Sequence, residues 1–202
     1  VGCDEYNQSM IEYARTTGIH TIILVARFPL YLNGNRYNNG EGGVEFGEPA
    51  HVDTIGEPRS GSYWDDEARI ERVSRQYFDE LTSLSEEFNV IVFEPTPEVG
   101  WDVPSRFTKL TRWGDNSQIT HSFEVFRQRI QRFEDILNGI PSPNLYRFSV
   151  ADTLCNEHTS RCVAADRRGI FYRDDDHLSI LGASLVVDDF FANLPKPLRP
   201  QQ

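Results

Sequence analysis

His20-Thr21-Ile22-Ile23-Leu24-Val25-Ala26 is a short, β-branched and almost wholly apolar run that follows a glycine at Gly18. Such a run suits a strand buried on both faces, because a parallel sheet covered by helices on either side has no solvated face to keep polar. Upstream, Tyr6, Met10, Tyr13 and Ala14 follow helical spacing and end at Gly18, a good helix stop. Downstream, Ile70, Val73, Tyr77, Leu81 and Leu84 mark a second amphipathic helix, which leads into the strand Val90-Ile91-Val92-Phe93. Phe123, Phe126, Ile130, Phe133 and Leu137 mark a third helix, stopped by Gly139 and Pro141, and Leu145 to Val150 reads as the next strand. Ala183, Val187, Phe190 and Leu194 mark the last helix, closed by Pro195 and Pro197. The alternation predicts one α/β domain over residues 1–202, a parallel sheet with helices on both faces, whose ligands sit beyond the carboxyl ends of the strands.

At 202 residues and 39% hydrophobic the chain is long enough for a real core. The net charge of −11, with no Lys/Arg-rich run, argues against nucleic acid or an anionic membrane surface as partner. No apolar stretch approaches the ~20 residues needed to cross a bilayer. Val1-Gly2-Cys3-Asp4 is polar and acidic, so a targeting or membrane segment is expected upstream of it. Residues 33–62 are rich in Gly, Asn, Pro and Glu, with turn signals at Asn33-Gly34 and Asn39-Gly40, and read as a long loop.

Chemistry is signalled near the C-terminus by Tyr172-Arg173-Asp174-Asp175-Asp176-His177-Leu178-Ser179, after the short strand-like stretch Gly169 to Tyr172. A Ser-His-Asp site needs a carboxylate on imidazole Nδ1, which fixes the tautomer while Nε2 takes the serine proton. Residues three apart on a turn share a face, so Asp174 and His177 form a candidate dyad. The competing reading is a solvated acidic turn with Ser179 as the N-cap of the next helix. Asp175 and Asp176, as exposed neighbours, are expected to help cap that helix rather than to tune catalysis.

Asp174 to Ser179 with Leu181-Gly182-Ala183 resembles the last conserved block of the SGNH (GDSL-like) hydrolases, in particular the SGNH domain fused to bacterial membrane acyltransferase-3 proteins that O-acetylate cell-surface glycans. Cys3-x-x-Tyr6-Asn7, Ile22 to Tyr31, the loop Glu94-Pro95-Thr96-Pro97-Glu98-Val99-Gly100-Trp101-Asp102-Val103-Pro104, and Cys155 with Cys162 resemble the same subfamily in order. The resemblance implies a flavodoxin-like three-layer sandwich and acyl-ester chemistry without a cofactor or metal. It also implies a glycan acyl acceptor or acyl ester as substrate, a membrane acyltransferase partner domain, and a periplasmic or other extracytoplasmic location.

SGNH enzymes carry their nucleophile in a Gly-Asp-Ser block at the end of the first strand, and no such block occurs here. The nearest string, Trp113-Gly114-Asp115-Asn116-Ser117, has an inserted asparagine and follows a stretch too polar for a buried strand. The expectation is a fold that is N-terminally incomplete, with His20 to Ala26 the third strand of the SGNH order, left with an unpaired edge, and this chain supplying only base and orienter.

Cys155 and Cys162 bracket a short polar loop that a disulfide can close, as in the exported SGNH domains, which leaves Cys3 unpaired in this chain. No second cysteine pair or histidine spacing provides a zinc set. Arg27 stands where the superfamily keeps an oxyanion-donating asparagine, and three uses are open to it: an oxyanion donor, a ligand for a sugar hydroxyl, or a structural partner for a carboxylate. Trp101 either stacks on a sugar face or packs against the domain. Two other functions stay open: a catalytically silent glycan-binding or scaffold domain, and a reduced cytosolic interaction domain with free thiols.

Overall fold

The computed structural model describes residues 3–50, 52–53, 67–114 and 118–198. In chain order the elements are α1 (Cys3–Thr17), β1 (Thr21–Leu24), α2 (Phe28–Asn33), α3 (Glu67–Glu87), β2 (Asn89–Phe93), α4 (Val103–Arg112), β3 (Ile119–Ser122), α5 (Phe123–Gly139), β4 (Leu145–Phe148), α6 (Val150–Leu154), β5 (Cys155–Asn156), β6 (Arg161–Asp166), β7 (Gly169–Ile170), α7 (Ile180–Ala192) and a 3-10 turn (Lys196–Leu198). The four helices expected from apolar spacing are α1, α3, α5 and α7. Gly18, at φ +73°, ends α1 by accepting a left-handed conformation that other residues avoid.

Strands β1, β2 and β4 form a parallel sheet in that order, with Ile23 opposite Ile91 and Ile91 opposite Tyr146. On one face Val90 and Val92 join a core built from α1, α2, α3 and α5, where Phe28 stacks on Phe133 at 4.2 Å between ring centroids. On the other face Phe93 and Phe148 meet Phe190 of α7 at 4.9 and 5.2 Å. The expected α/β architecture of a parallel sheet between helical layers is therefore present.

The expectation for β1 needs correction. Among the described residues it is an edge strand, hydrogen-bonded to β2 alone, and of its side chains Ile22 and Leu24 lean on the core, whereas Ile23 is 50% and Val25 70% exposed. A run of apolar residues does not distinguish burial on both faces from burial on one. The unpaired edge itself agrees with the sequence expectation.

A second sheet was not expected. β3, β6 and β5 pair antiparallel in that order, and β7 pairs with β6. Gly169 to Tyr172 is accordingly not a parallel strand of the main sheet: Gly169–Ile170 belongs to this ribbon. Cys155 and Cys162 oppose each other across β5 and β6 and are disulfide-bonded, with Cα atoms 3.8 Å apart. The Cys3 thiol and Ser117 lie outside the described atoms.

Candidate functional site

The loop from Arg173 to Leu178 leaves β7 and enters α7, and its shape is set by its own residues. Asp174 Oδ1 accepts the backbone N–H groups of Asp176 at 3.0 Å and His177 at 2.7 Å, an Asx turn that brings the His177 ring back over the carboxylate. Nδ1 of His177 then lies 2.9 Å from Asp174 Oδ2. Ser179 caps α7 by accepting from Gly182 N at 3.1 Å and also donates to the Ile170 carbonyl at 2.7 Å. A side chain at Gly182 would bring Cβ within 2.1 Å of the Phe171 carbonyl oxygen, so glycine is required where α7 crosses β7's exit. From the other side Val99 N and Gly100 N donate to the Asp175 carbonyl, and Val103 N to that of Asp174. The Glu94 to Pro104 segment thereby buttresses the loop.

The His177 side chain is 58% exposed, and its Nε2 has no hydrogen-bond partner among the described residues. Asp176 is the residue sequence reasoning misplaced. It does not cap α7; its side chain is 7% exposed, with Oδ1 3.0 Å from His177 Nδ1 and Oδ2 2.7 Å from Arg27 Nη1. The latter is an ionic contact without hydrogen-bond angles, since Oδ2 has no hydrogen-bond donor. Nδ1 is thus shared between two carboxylates of different character. Burial pushes Asp176 up to about 6 against the opposing pull of Arg27 and His177. Burial also acts on Asp174, but its hydrogen bonds from the His177 and Asp176 amides and the imidazole prevail and hold it at about 2.

Arg27 follows β1 and is the hub beneath this loop. Its Nη1 and Nη2 grip Glu45 Oε1 and Oε2, both at 2.9 Å, while Nη2 also reaches Glu98. Glu98 passes the contact on to Arg129 Nε at 2.9 Å, and Glu45 is shared with Arg36. The result is a largely buried cluster of Arg27, Arg36 and Arg129 against Glu45, Glu98 and Asp176. Burial penalises Glu45, yet Arg27, the Tyr37 amide and Arg36 hold its carboxyl at about 2. Of the uses open to Arg27, the geometry displays the carboxylate partner: Nη1 and Nη2 both hydrogen-bond Glu45, and Nη2 also Glu98. Glu45 and Arg129 were not singled out from sequence, Glu98 entered only as part of its loop and Asp176 only as a helix cap, because charged residues carry no periodic signal that marks them as buried.

Trp101 is sandwiched. Arg106 lies 4.0 Å above its ring, and on its other contacts the indole packs so closely on Gly43 that a Cβ there would be 2.9 Å from Cε2. These contacts are those of the packing alternative, and the residue stays partly exposed. His121, on β3, is fully buried with neither ring nitrogen hydrogen-bonded among the described residues, and desolvation, aided by Arg161, lowers it to about 4. One atom each from Asp174, Asp176 and His177 fall within 4.8 Å of one another, a set able to hold a small cation, but the imidazole–carboxylate contacts already account for all three.

A family model described as "SGNH domain (fused to AT3 domains)" matches residues 1–192. Among solved structures, the periplasmic domain of the lipopolysaccharide acetyltransferase of Salmonella ser. Paratyphi A is similar at 18% identity and a TM-score of 0.46, over 64% of this chain and 50% of that one. This chain therefore spans half the length of that domain. No curated protein matches it. Among the described residues no helix is long and apolar enough to cross a membrane.

Proposed function

Because the chain belongs to the family of SGNH domains fused to AT3 domains, we propose that it is the part of an extracytoplasmic O-acyltransferase that supplies the base and its orienting acid for acyl-ester chemistry on cell-surface glycans. The observation that carries this reading is the Asp174–His177 pair: Nδ1 held at 2.9 Å by a carboxylate, the ring exposed, and Nε2 without a partner. Asp174 keeps the Nδ1–H tautomer. Nε2 then takes the proton of a serine hydroxyl as its oxygen attacks the acyl carbonyl, and returns it to the leaving oxygen as the tetrahedral intermediate collapses. A sugar hydroxyl, or water, repeats the sequence on the acyl-serine, which transfers the acyl group or hydrolyses it. An acetyl group is the acyl unit that fits the family, and the AT3 domain is the partner that delivers it.

No Gly-Asp-Ser occurs in the 202 residues and no serine contacts Nε2 among the described ones. On this reading the attacking serine comes from elsewhere in the protein. The same absence favours the second reading, a silent glycan-binding or scaffold domain. Hydrolysis of 4-nitrophenyl acetate separates them: the isolated 202-residue chain is expected to give no turnover above the no-enzyme rate, and the full-length protein serine-dependent turnover lost in His177→Ala. Turnover by the isolated chain that His177→Ala abolishes would assign the nucleophile to this chain, with Ser117 the first to test. Full-length turnover indifferent to His177→Ala would leave the silent domain.

A further inference from the structure

A cavity of about 440 Å³ opens between the end of α2 with the segment after it, the start of α3 and α5, and neither His177 nor Asp174 lines it. Its volume falls within the ~300–1,000 Å³ of small-molecule sites, but its lining is unlike the mostly apolar one usual there. Four side-chain amides line it: Asn33 from the end of α2, Asn35 and Asn38 from the segment after it, and Gln128 from α5. Each amide has one half committed to the protein. Asn33 Nδ2 donates to the Arg129 carbonyl at 2.9 Å, Asn35 Oδ1 accepts from Arg129 Nη1, Asn38 Oδ1 accepts from Gly40 N at 2.9 Å, and Gln128 Nε2 donates to Glu124 at 3.1 Å.

The other halves have no protein partner among the described residues. They are two amino groups, Asn35 Nδ2 and Asn38 Nδ2, and two carbonyl oxygens, Asn33 Oδ1 and Gln128 Oε1. With one half of each amide committed, the cavity wall presents a mixed set of amide donors and acceptors. A hydroxyl needs one of each, and a polyol with several hydroxyls uses such a mixed set where a carboxylate or phosphate uses donors only. The charges at the cavity point the same way. Arg36, Arg129 and Arg132 are each already matched to a carboxylate, Glu45, Glu98 and Glu67 respectively, so no unneutralised cation waits for an anion. Ile70 and Val125 supply an apolar surface for the C–H face of a ring.

We infer that this cavity is a binding subsite for a neutral sugar residue. The inference rests on the acyltransferase reading for its biological meaning, a holding point for the glycan acceptor, but not for its chemistry. The wall is continuous with the dyad's support: Arg129 contacts Glu98, which contacts Arg27, which contacts Asp176 beside His177.

The test is titration of the 202-residue chain with methyl α-D-mannopyranoside, methyl α-D-galactopyranoside and methyl α-L-rhamnopyranoside, read by the ¹⁵N–¹H signals of the side-chain amides, with D-glucuronate and inorganic phosphate as charged probes. At least one neutral glycoside is expected to shift the Asn35, Asn38 and Gln128 signals saturably, in the range of ~1 mM or weaker. Asn38→Asp and Gln128→Met, both at exposed positions and checked for an unchanged unfolding midpoint, are expected to weaken binding roughly fivefold each. His177→Ala is expected to leave binding unchanged, so binding by this chain together with full-length turnover indifferent to His177→Ala would sink the acyltransferase reading and keep the subsite. Silence toward all three neutral glycosides, binding indifferent to both amide variants, or a preference for glucuronate or phosphate would each overturn it.

Discussion

Asp176 Oδ2 lies 2.7 Å from Arg27 Nη1 while the other oxygen of the same carboxylate faces His177 Nδ1 at 3.0 Å. The residue next to His177 is thus tied to an ion cluster beyond the end of β1, and the imidazole stands between a firm carboxylate, Asp174, and a buried, reluctant one.

The two acids should therefore be separable by mutation. In the full-length protein, Asp174→Asn is expected to lower acyl transfer by about 10³ or more, as loss of the tautomer-fixing acid does in triads. Asp176→Asn keeps the shape and the Asp174 contact and is expected to cost about tenfold or less. A larger loss for Asp176→Asn in initial-rate measurements would make Asp176 the orienter in place of Asp174, and equal losses would mean that the two act together.

Arg27→Ala removes one cation from a cluster of three against three, leaving Glu45, Glu98 and Asp176 to share Arg36 and Arg129. Breaking one partner out of a buried charge set leaves the rest uncompensated, and a loss of about 3 kcal/mol in chemical denaturation is expected. Arg27→Lys should recover only part of this, since an ammonium cannot reproduce the bidentate grip on Glu45. A loss within the surface range of ~0.5 kcal/mol would show the cluster to be dispensable.

His121 predicts acid lability. Its pKa is lowered in the fold, to about 4, so folding favours the neutral ring and that contribution is fully present above the unfolded value near 6.5. Stability from this residue falls as pH drops through ~6.5 toward 4, by about 3 kcal/mol in all, to order of magnitude. His121→Leu should flatten the unfolding midpoint between pH 7 and 4.5. An unchanged slope would place the acid sensitivity elsewhere.

The Cys155–Cys162 bridge closes a short loop, for which chain entropy gives about 2 to 3 kcal/mol. Reduction of the native protein is expected to lower its thermal midpoint and to speed amide exchange first in β5 and β6. No change in either would mean the hairpin holds without the bond.

How much of this was legible varied with the kind of signal. The long helices were readable because buried positions such as Phe126, Ile130 and Phe133 recur with the helical period, and β2 because Val90, Ile91 and Val92 form an unbroken apolar run. The second sheet was not, because β5 and β7 are two residues long and β6 carries Arg161 and Asp166 at its ends. The cysteine pair was the one clue that the chain doubles back there. The dyad was legible because its geometry is a local turn, whereas Arg27, Glu45, Glu98 and Arg129 come from four separate segments that only the tertiary fold unites.

The balance of three cations and three anions beneath the dyad has a genealogical corollary. Any relative that has replaced Arg27 by a neutral residue should also have given up one of Glu45, Glu98 or Asp176, because an odd buried charge is selected against far more strongly than a missing pair. These six positions should therefore change in couples across descent, and a lineage caught midway should owe its survival to a less stable fold.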